Sequence, residues 1–188
     1  MSTIMKPLHM ARNFIRACVC NGEQVIDATA GNGYDTFFLA QQVGDGGKVF
    51  SFDVQEEALG RTRKLLEEKN LLHRVVLILD GHEHISYHVE KPVAAIMFNL
   101  GYLPGGDHSI ITRPKTTVRA LQAGLSMLKP QGIITLVVYT GHEGGEEEKR
   151  ALISLCQRLD QKQFTVLHYS MVNQVNDPPS LIVVEKIH

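Results

Sequence analysis

Residues 25–40 read VIDATAGNGYDTFFLA. A short apolar run stops on Asp27, the backbone goes bare at Ala30-Gly31-Asn32-Gly33, and an amphipathic pattern begins through Phe37, Phe38 and Leu39. These pieces in this order predict a buried strand over 23–29, a tight turn, and a helix from Tyr34 to Val43. Gly44-Asp45-Gly46-Gly47 closes that helix, and the run from Lys48 to Asp53 predicts a second strand.

The alternation extends in both directions. Upstream, Leu8, Ala11, Phe14, Ile15 and Cys18 share one face at spacings of three and four, which predicts an N-terminal helix at about 8–20. Downstream, Gln55 to Asn70 has helical composition. Val75–Leu79 and Val93–Leu100 are almost uncharged, as expected of parallel strands covered on both faces. A helix from about Thr116 to Leu128 should stop at Lys129-Pro130-Gln131-Gly132, because proline cannot continue it. Strand Ile133–Tyr139, helix Glu146–Gln161 and strands Phe164–Val172 and Ser180–Ile187 complete the series. Strands alternating with helices imply an α/β fold with one doubly wound, mostly parallel sheet and helices on both faces. The last two strands have no helix between them and should pair antiparallel.

The 188 residues, 44% apolar and 21% charged, suit one domain spanning 1–188. Cys18, Cys20 and Cys156 form no disulfide framework and no signal segment opens the chain, so a reducing cytoplasm is expected. No apolar run approaches the roughly 20 residues that cross a bilayer. A formal net charge of −1 excludes a globally basic nucleic-acid binder but permits a local basic face.

In doubly wound sheets, ligands collect at the carboxyl ends of the strands, where the first strand-to-helix turn lies. Gly31 and Gly33 would let a ligand approach the backbone, and the following helix N-terminus offers free N–H groups. Asp53 ends the second strand, where a carboxylate can accept both hydroxyls of a ribose. Tyr34-Asp35-Thr36 stands where a dinucleotide fingerprint has its third glycine, so a ligand without a pyrophosphate fits better. S-adenosylmethionine meets these demands. Asp53 would take its ribose and the first turn its ammonium and carboxylate, with Gly31, Asn32, Gly33, Asp35, Thr36 and Gln55 expected among the cofactor-binding residues. Asp27 would act on the ammonium through backbone or water, and Asp80-Gly81-His82 would line the adenine. A tight turn in any α/β protein is the plainer reading of the glycines.

Taken together, DATAGNGYDT, FSFDVQ, LDGHEH, NLGYLPGGDH, TRPKTT and NDPPSLIVVEK resemble the small class I methyltransferases labelled putative rRNA methylases. The resemblance covers nearly the whole chain from about residue 5. It implies a Rossmann-like class I methyltransferase sheet. It also implies transfer of a methyl group to the 5-aminomethyl group of wobble 2-thiouridine, with the tRNA anticodon stem-loop as partner. Members in Gram-positive bacteria carry out that reaction.

The fourth strand runs into Asn99-Leu100-Gly101-Tyr102-Leu103-Pro104-Gly105-Gly106-Asp107-His108, too glycine-rich for a simple connector. A methyl acceptor should sit here, held in line with the leaving sulfur, and an amine acceptor must be neutral to attack. Asn99 is expected to orient the amine, Tyr102 to contact the base, and Asp107 or His108 to take a proton directly or through water. Pro104, Gly106 and His108 are expected at the substrate, with Arg113 and Lys115 facing phosphate. His9, Arg12 and Arg16 share a helical face and are the alternative basic mouth; solvated surface is the plainer reading of both sets. Asn-Leu-Gly-Tyr shares an asparagine and an aromatic with the Asn-Pro-Pro-Tyr motif of nucleobase amine methyltransferases and departs from it at both central positions.

His82, Glu83, His84 and His88 lack metal-site spacing, so no metal is expected. Glu143 and Glu146-Glu147-Glu148 read as an acidic helix start, and Asn176-Asp177-Pro178-Pro179 as a stiff hairpin turn. Other readings retained are a methyltransferase acting on rRNA or a small amine, a non-catalytic nucleotide-binding protein, and a nicotinamide oxidoreductase. A homodimer is left open.

Overall fold

The computed structural model describes residues 4–90, 92–107 and 109–188. Helix α1 (Pro7–Cys18) is followed by β1 (Gln24–Asp27), α2 (Tyr34–Val43), β2 (Lys48–Asp53), α3 (Glu56–Glu68) and β3 (Val75–Leu79). A 3-10 turn, His82–His84, leads into the one-turn helix α4 (Ile85–His88), which the apolar pattern did not announce. Then come β4 (Val93–Leu100), α5 (Pro114–Met127), β5 (Leu128–Val138), α6 (Gly145–Cys156), β6 (Phe164–Tyr169) and β7 (Ser180–Lys186).

The strands form one seven-stranded sheet in the order β3-β2-β1-β4-β5-β7-β6. Pairings from β3 through to β5 are parallel, and β7 pairs antiparallel with both β5 and β6. The last two strands therefore pair as expected, but β7 inserts beside β5 and pushes β6 to the edge. Only β7 runs against the rest.

Strand β4 shows why its run is apolar throughout. Ala95 and Met97 enter the core under α1, α2 and α3, while Ile96, Phe98 and Leu100 enter the core under α4, α5 and α6. Alternate residues point to opposite faces, and both faces are covered. Each fully buried side chain of this kind contributes roughly 1.5–3 kcal/mol. The similar run in β3 lies at the sheet edge, with Val76 and Leu79 exposed. Composition alone did not separate an edge strand from a central one.

The Lys129-Pro130-Gln131-Gly132 segment ends α5 but does not delay the next strand. Leu128 already pairs with Val93, and Ile133 with Ala95, so residues 129–132 bulge out of β5. Gln131 takes a positive φ of 61° there. Helix α6 also ends earlier than its pattern suggested, at Cys156.

Strand order reverses at β1, whose neighbours are β2 and β4. The loops leaving β1 and β4 open a crevice at their carboxyl ends, the usual ligand position of such sheets.

Candidate active site

A cavity of about 550 Å³ fills this crevice, lined from the ends of β1, β2, β3, β4 and β5. Its first wall is the β1–α2 turn. Gly31 donates its N–H to Asp53 Oδ2 at 2.9 Å, and Gln55 N–H donates to Asp53 Oδ1 at 3.0 Å. Two backbone donors thus fix the carboxylate that lines the cavity, and its remaining lone pairs are left for a ligand. Gly33 does different work from the one expected of it. It has φ 81°, and an added Cβ would stand 2.9 Å from Thr62 Cα, so its bareness lets α2 approach α3. It does not line the cavity.

Asp27, expected to act on the ligand through backbone or water, stands behind the wall and is 1% exposed. It accepts the Thr29 N–H at 3.1 Å and the Thr36 hydroxyl at 2.5 Å, and that hydroxyl lies 2.8 Å from Ser51 Oγ. Burial, reinforced by the nearby Asp35 charge, pushes the Asp27 carboxyl up to about 7. Asp27 and Thr36 brace the turn. The acid that reaches the cavity is Asp35, and its cation is Arg12 of α1, which donates to Asp35 Oδ1 through Nε (2.9 Å) and Nη2 (2.7 Å). Arg12 and Arg16 also lie over the Phe38 ring, at 5.4 and 5.0 Å. Arg12 is thus a structural partner of Asp35 rather than a cation left for phosphate.

At the end of β3, Asp80 lines the cavity but is itself heavily engaged. His84 Nδ1 and His88 Nε2 each lie 2.8 Å from its carboxylate, and Gly81 N–H donates at 2.7 Å. These contacts, led by His84, hold the Asp80 carboxyl down to about 2, and Asp80 in turn raises the His84 imidazole. The histidine cluster is a clip for the short turn before α4. No group of three His, Cys, Asp or Glu among the described residues is placed to hold a metal. His82 is buried against Phe98 and sits 3.3 Å from Ala28 O, where burial lowers its imidazole.

The reacting end lies after β4. Asn99 N–H donates to Thr29 Oγ1 at 2.8 Å, tying β4 to the β1 turn. Its side-chain Nδ2 points to Asp35 Oδ2 at 3.5 Å, the outer limit of a hydrogen bond. That contact turns Oδ1 the other way, and Oδ1 is buried with no partner among the described residues. The loop beyond is anchored by buried Leu103. An added Cβ on Gly106 would meet the Leu103 side chain at 2.7 Å, so this glycine serves loop packing and does not line the cavity. Arg61 of α3 donates to Asn32 Oδ1 (2.9 Å), Pro104 O (3.3 Å) and Gly105 O (2.9 Å), strapping the two loops together.

The return leg of the loop is held by a residue that the charge pattern had read only as part of an acidic helix start. Glu148 is fully buried and accepts the hydroxyls of Thr112 (2.8 Å) and Thr117 (2.5 Å). Burial pushes its carboxyl up, against the pull of those hydroxyls.

Of the residues singled out from sequence, Gly31, Asn32, Asp35, Asp53, Gln55, Asp80, Gly81, His82, Asn99, Tyr102, Pro104 and Arg113 all line one cavity. Asp107 and Lys115 are exposed and do not line it; Asp107 Oδ1 accepts the Ser109 N–H at 2.8 Å in a local turn. His108 lies outside the described residues. Asp177 brings the hairpin turn to the cavity, and Thr29, Tyr139 and His142 line it without having been foreseen. Tyr139 and His142 follow the fifth strand, where any strand end facing the crevice is a candidate position.

A sheet with one reversed strand beside β5, and a crevice holding an anchored acid at the end of β2, define the class I methyltransferase architecture. A family model described as "Putative rRNA methylase" matches residues 49–185, and the chain belongs to this family. The crystal structure of a protein described under the same name from Clostridium thermocellum superposes with a TM-score of 0.97 at 47% identity, covering 99% of this chain and 100% of that one. A Streptococcus mutans protein described as "a putative methyltransferase", solved in complex with SAH, gives 0.91 at 42% identity over 98% of this chain and 100% of that one. The chloroplastic tRNA (mnm(5)s(2)U34)-methyltransferase of Arabidopsis thaliana is 39% identical over 163 residues, 81% of this chain. The chain spans 60% of that plant protein's length.

Proposed function

We propose that the chain is an S-adenosylmethionine-dependent N-methyltransferase that converts the 5-aminomethyl group of wobble 2-thiouridine in tRNA to 5-methylaminomethyl. The observation that carries this reading is Asn99 Oδ1, a buried acceptor without a partner beside the cavity. A buried acceptor left unpaired costs about 1–3 kcal/mol, so the site favours a ligand that brings a hydrogen-bond donor. An amine does so. The SAH complex of the Streptococcus mutans relative and the name of the Arabidopsis relative support the cofactor and the tRNA substrate.

The residues fit the cofactor. Asp53, held by two backbone N–H groups, presents lone pairs for ribose hydroxyls, and Asp35 presents a carboxylate toward an ammonium. When bound, S-adenosylmethionine supplies an electrophilic methyl carbon on a sulfonium leaving group. The protein's part is positioning: Asn99 Oδ1 accepts an N–H of the amine and directs its lone pair, which converts an encounter into an oriented reaction. Tyr102, exposed at the cavity edge, offers a face for the base. Arg113 stands at the same edge and is the better placed of the two expected phosphate contacts.

The test is transfer of labelled methyl groups to bulk tRNA and to rRNA, with mass spectrometry of the nucleosides. Conversion of 5-aminomethyl-2-thiouridine to its methylated form in tRNA is expected. Label confined to rRNA, or no label with either RNA, would refute the proposal.

A further inference from the structure

His142 follows β5 and lines the same cavity as Asn99. Its Nδ1 lies 3.0 Å from the backbone oxygen of Glu143. A carbonyl oxygen only accepts, so Nδ1 carries the proton and Nε2 keeps a bare lone pair. That Nε2 is buried and has no partner among the described residues. It faces the acceptor loop: an added Cβ on Gly101 would stand 3.8 Å from it, and the Tyr102 ring meets the imidazole edge-on at 6.3 Å and 83°. Asn99, near the end of β4, and His142, in the loop after β5, thus each line a single cavity and each hold one unpaired buried acceptor.

We infer that His142 Nε2 is the base that takes the proton from the substrate's aminomethyl ammonium, a catalytic role for a residue outside every motif of the sequence. The inference rests on the proposed amine substrate and goes beyond it. A primary alkylammonium titrates near about 10, so at neutral pH the bound group has no lone pair to react. One N–H bond of the ammonium breaks as an Nε2–H bond forms, leaving a neutral amine and an imidazolium. The amine pair then forms the new C–N bond as the methyl–sulfur bond breaks, with that electron pair left on sulfur. The imidazolium loses its proton to solvent after the product leaves.

The groups facing His142 are consistent with this direction of transfer. Tyr102 and Tyr139 stand on the loop and strand sides, and burial together with the Asp35 charge raises the Tyr139 hydroxyl, keeping it neutral. Glu148 lies on the α6 side, close enough for a charged His142 to act on its carboxyl. Arg113 and Asp177 line the cavity with opposite charges.

The test compares wild type, His142→Phe and His142→Gln in single-turnover methylation of aminomethyl tRNA, with cofactor and tRNA affinity measured by calorimetry. His142→Phe should lose at least about 100-fold in rate at pH 7, and the deficit should shrink to about tenfold or less at pH 9, where solution supplies the neutral amine. His142→Gln can accept a hydrogen bond but take no proton, so it should keep tRNA affinity and share the rate loss. Nitrogen-15 spectra of the histidine-labelled, cofactor-loaded enzyme should show His142 with its proton on Nδ1. An unchanged rate, a deficit of the same size at both pH values, or a proton found on Nε2 would overturn the assignment. If the wild-type enzyme leaves aminomethyl tRNA unmodified, the proposed substrate falls and this role falls with it. Transfer by wild type alongside an unaffected His142→Phe removes only His142.

Discussion

The two loops that meet over the cavity are held by different balances of bond. The β1–α2 turn is short and is fixed mostly to its own or the next strand, by Gly31 N–H to Asp53 and by Thr29 N–H and the Thr36 hydroxyl to Asp27, with Arg61 and Thr62 of α3 adding one hydrogen bond each, at Asn32 and Gly31. The loop after β4 is longer and is held from outside by Arg61 of α3, Glu148 of α6 and, through Asp35, Arg12 of α1. A preformed turn suits a cofactor common to many reactions. A loop tied by side chains from distant helices suits an acceptor that must be placed against it. Changes to the first loop should therefore register as cofactor affinity, and changes to the second as rate.

The sharpest break of that division is Asn99→Ala. If this carbonyl orients the amine as proposed, removing it should lower the single-turnover rate by at least about 100-fold, with cofactor affinity changed much less. A near wild-type rate would move orientation to Tyr102 or to loop backbone. The converse variant, Asp53→Ala, removes a charged acceptor worth about 1.5–3 kcal/mol and should weaken cofactor binding by on the order of 10- to 100-fold. It also frees Gly31 and Gln55, so a circular-dichroism check of folding belongs with the titration. Unchanged affinity would take Asp53 out of the site.

Glu148→Ala tests the strap on the acceptor loop. The Thr112 and Thr117 hydroxyls lose their common acceptor, which should cost about 1.5–3 kcal/mol in urea unfolding and slow transfer while leaving cofactor affinity near wild type. Equal damage to affinity and rate would mean that the two loops are one unit.

Smaller still is the pH response of the turn's brace. Asp27 titrates near 7 when folded and near its ordinary value of 3.8 when unfolded, so the folded state holds the extra proton between those values. A group raised in this way favours folding at low pH, and its contribution is lost as pH rises from about 4 to 7. Asp27→Asn keeps an acceptor for the Thr29 N–H, turns an amide donor toward the Thr36 hydroxyl, and removes the titration. Its stability should fall less than that of wild type over this window in parallel urea titrations; identical slopes would show that Asp27 is not the titrating group. At the outer edge, Arg113→Gln should flatten the salt dependence of tRNA binding by about one phosphate's worth, and Lys115→Gln by less. Equal effects would place both side chains on the RNA.

The sequence by itself determined the elements and the cofactor turn. Helical period, strand alternation and a glycine punctuation are local signals, and an acid at the end of the second strand is located by counting along them. The bounds of α2, β2, β3 and β4 coincide with what their patterns predicted. Family resemblance supplied the proposed acceptor, which no spacing carries. Only the tertiary structure decided which polar groups are left unpaired. Arg12 meets Asp35 across 23 residues of chain, Thr117 meets Glu148 across 31, and Asn99 meets Asp35 across 64. Such pairs leave no periodic trace, because either partner looks like surface until the fold buries it. The same holds for β7, whose insertion beside β5 is a choice between two sheet edges that the antiparallel pair alone does not make. It holds most for His142, an ordinary loop histidine in sequence, whose Nε2 becomes a buried acceptor only when the carbonyl of Glu143 fixes its tautomer and the loop after β4 closes over it.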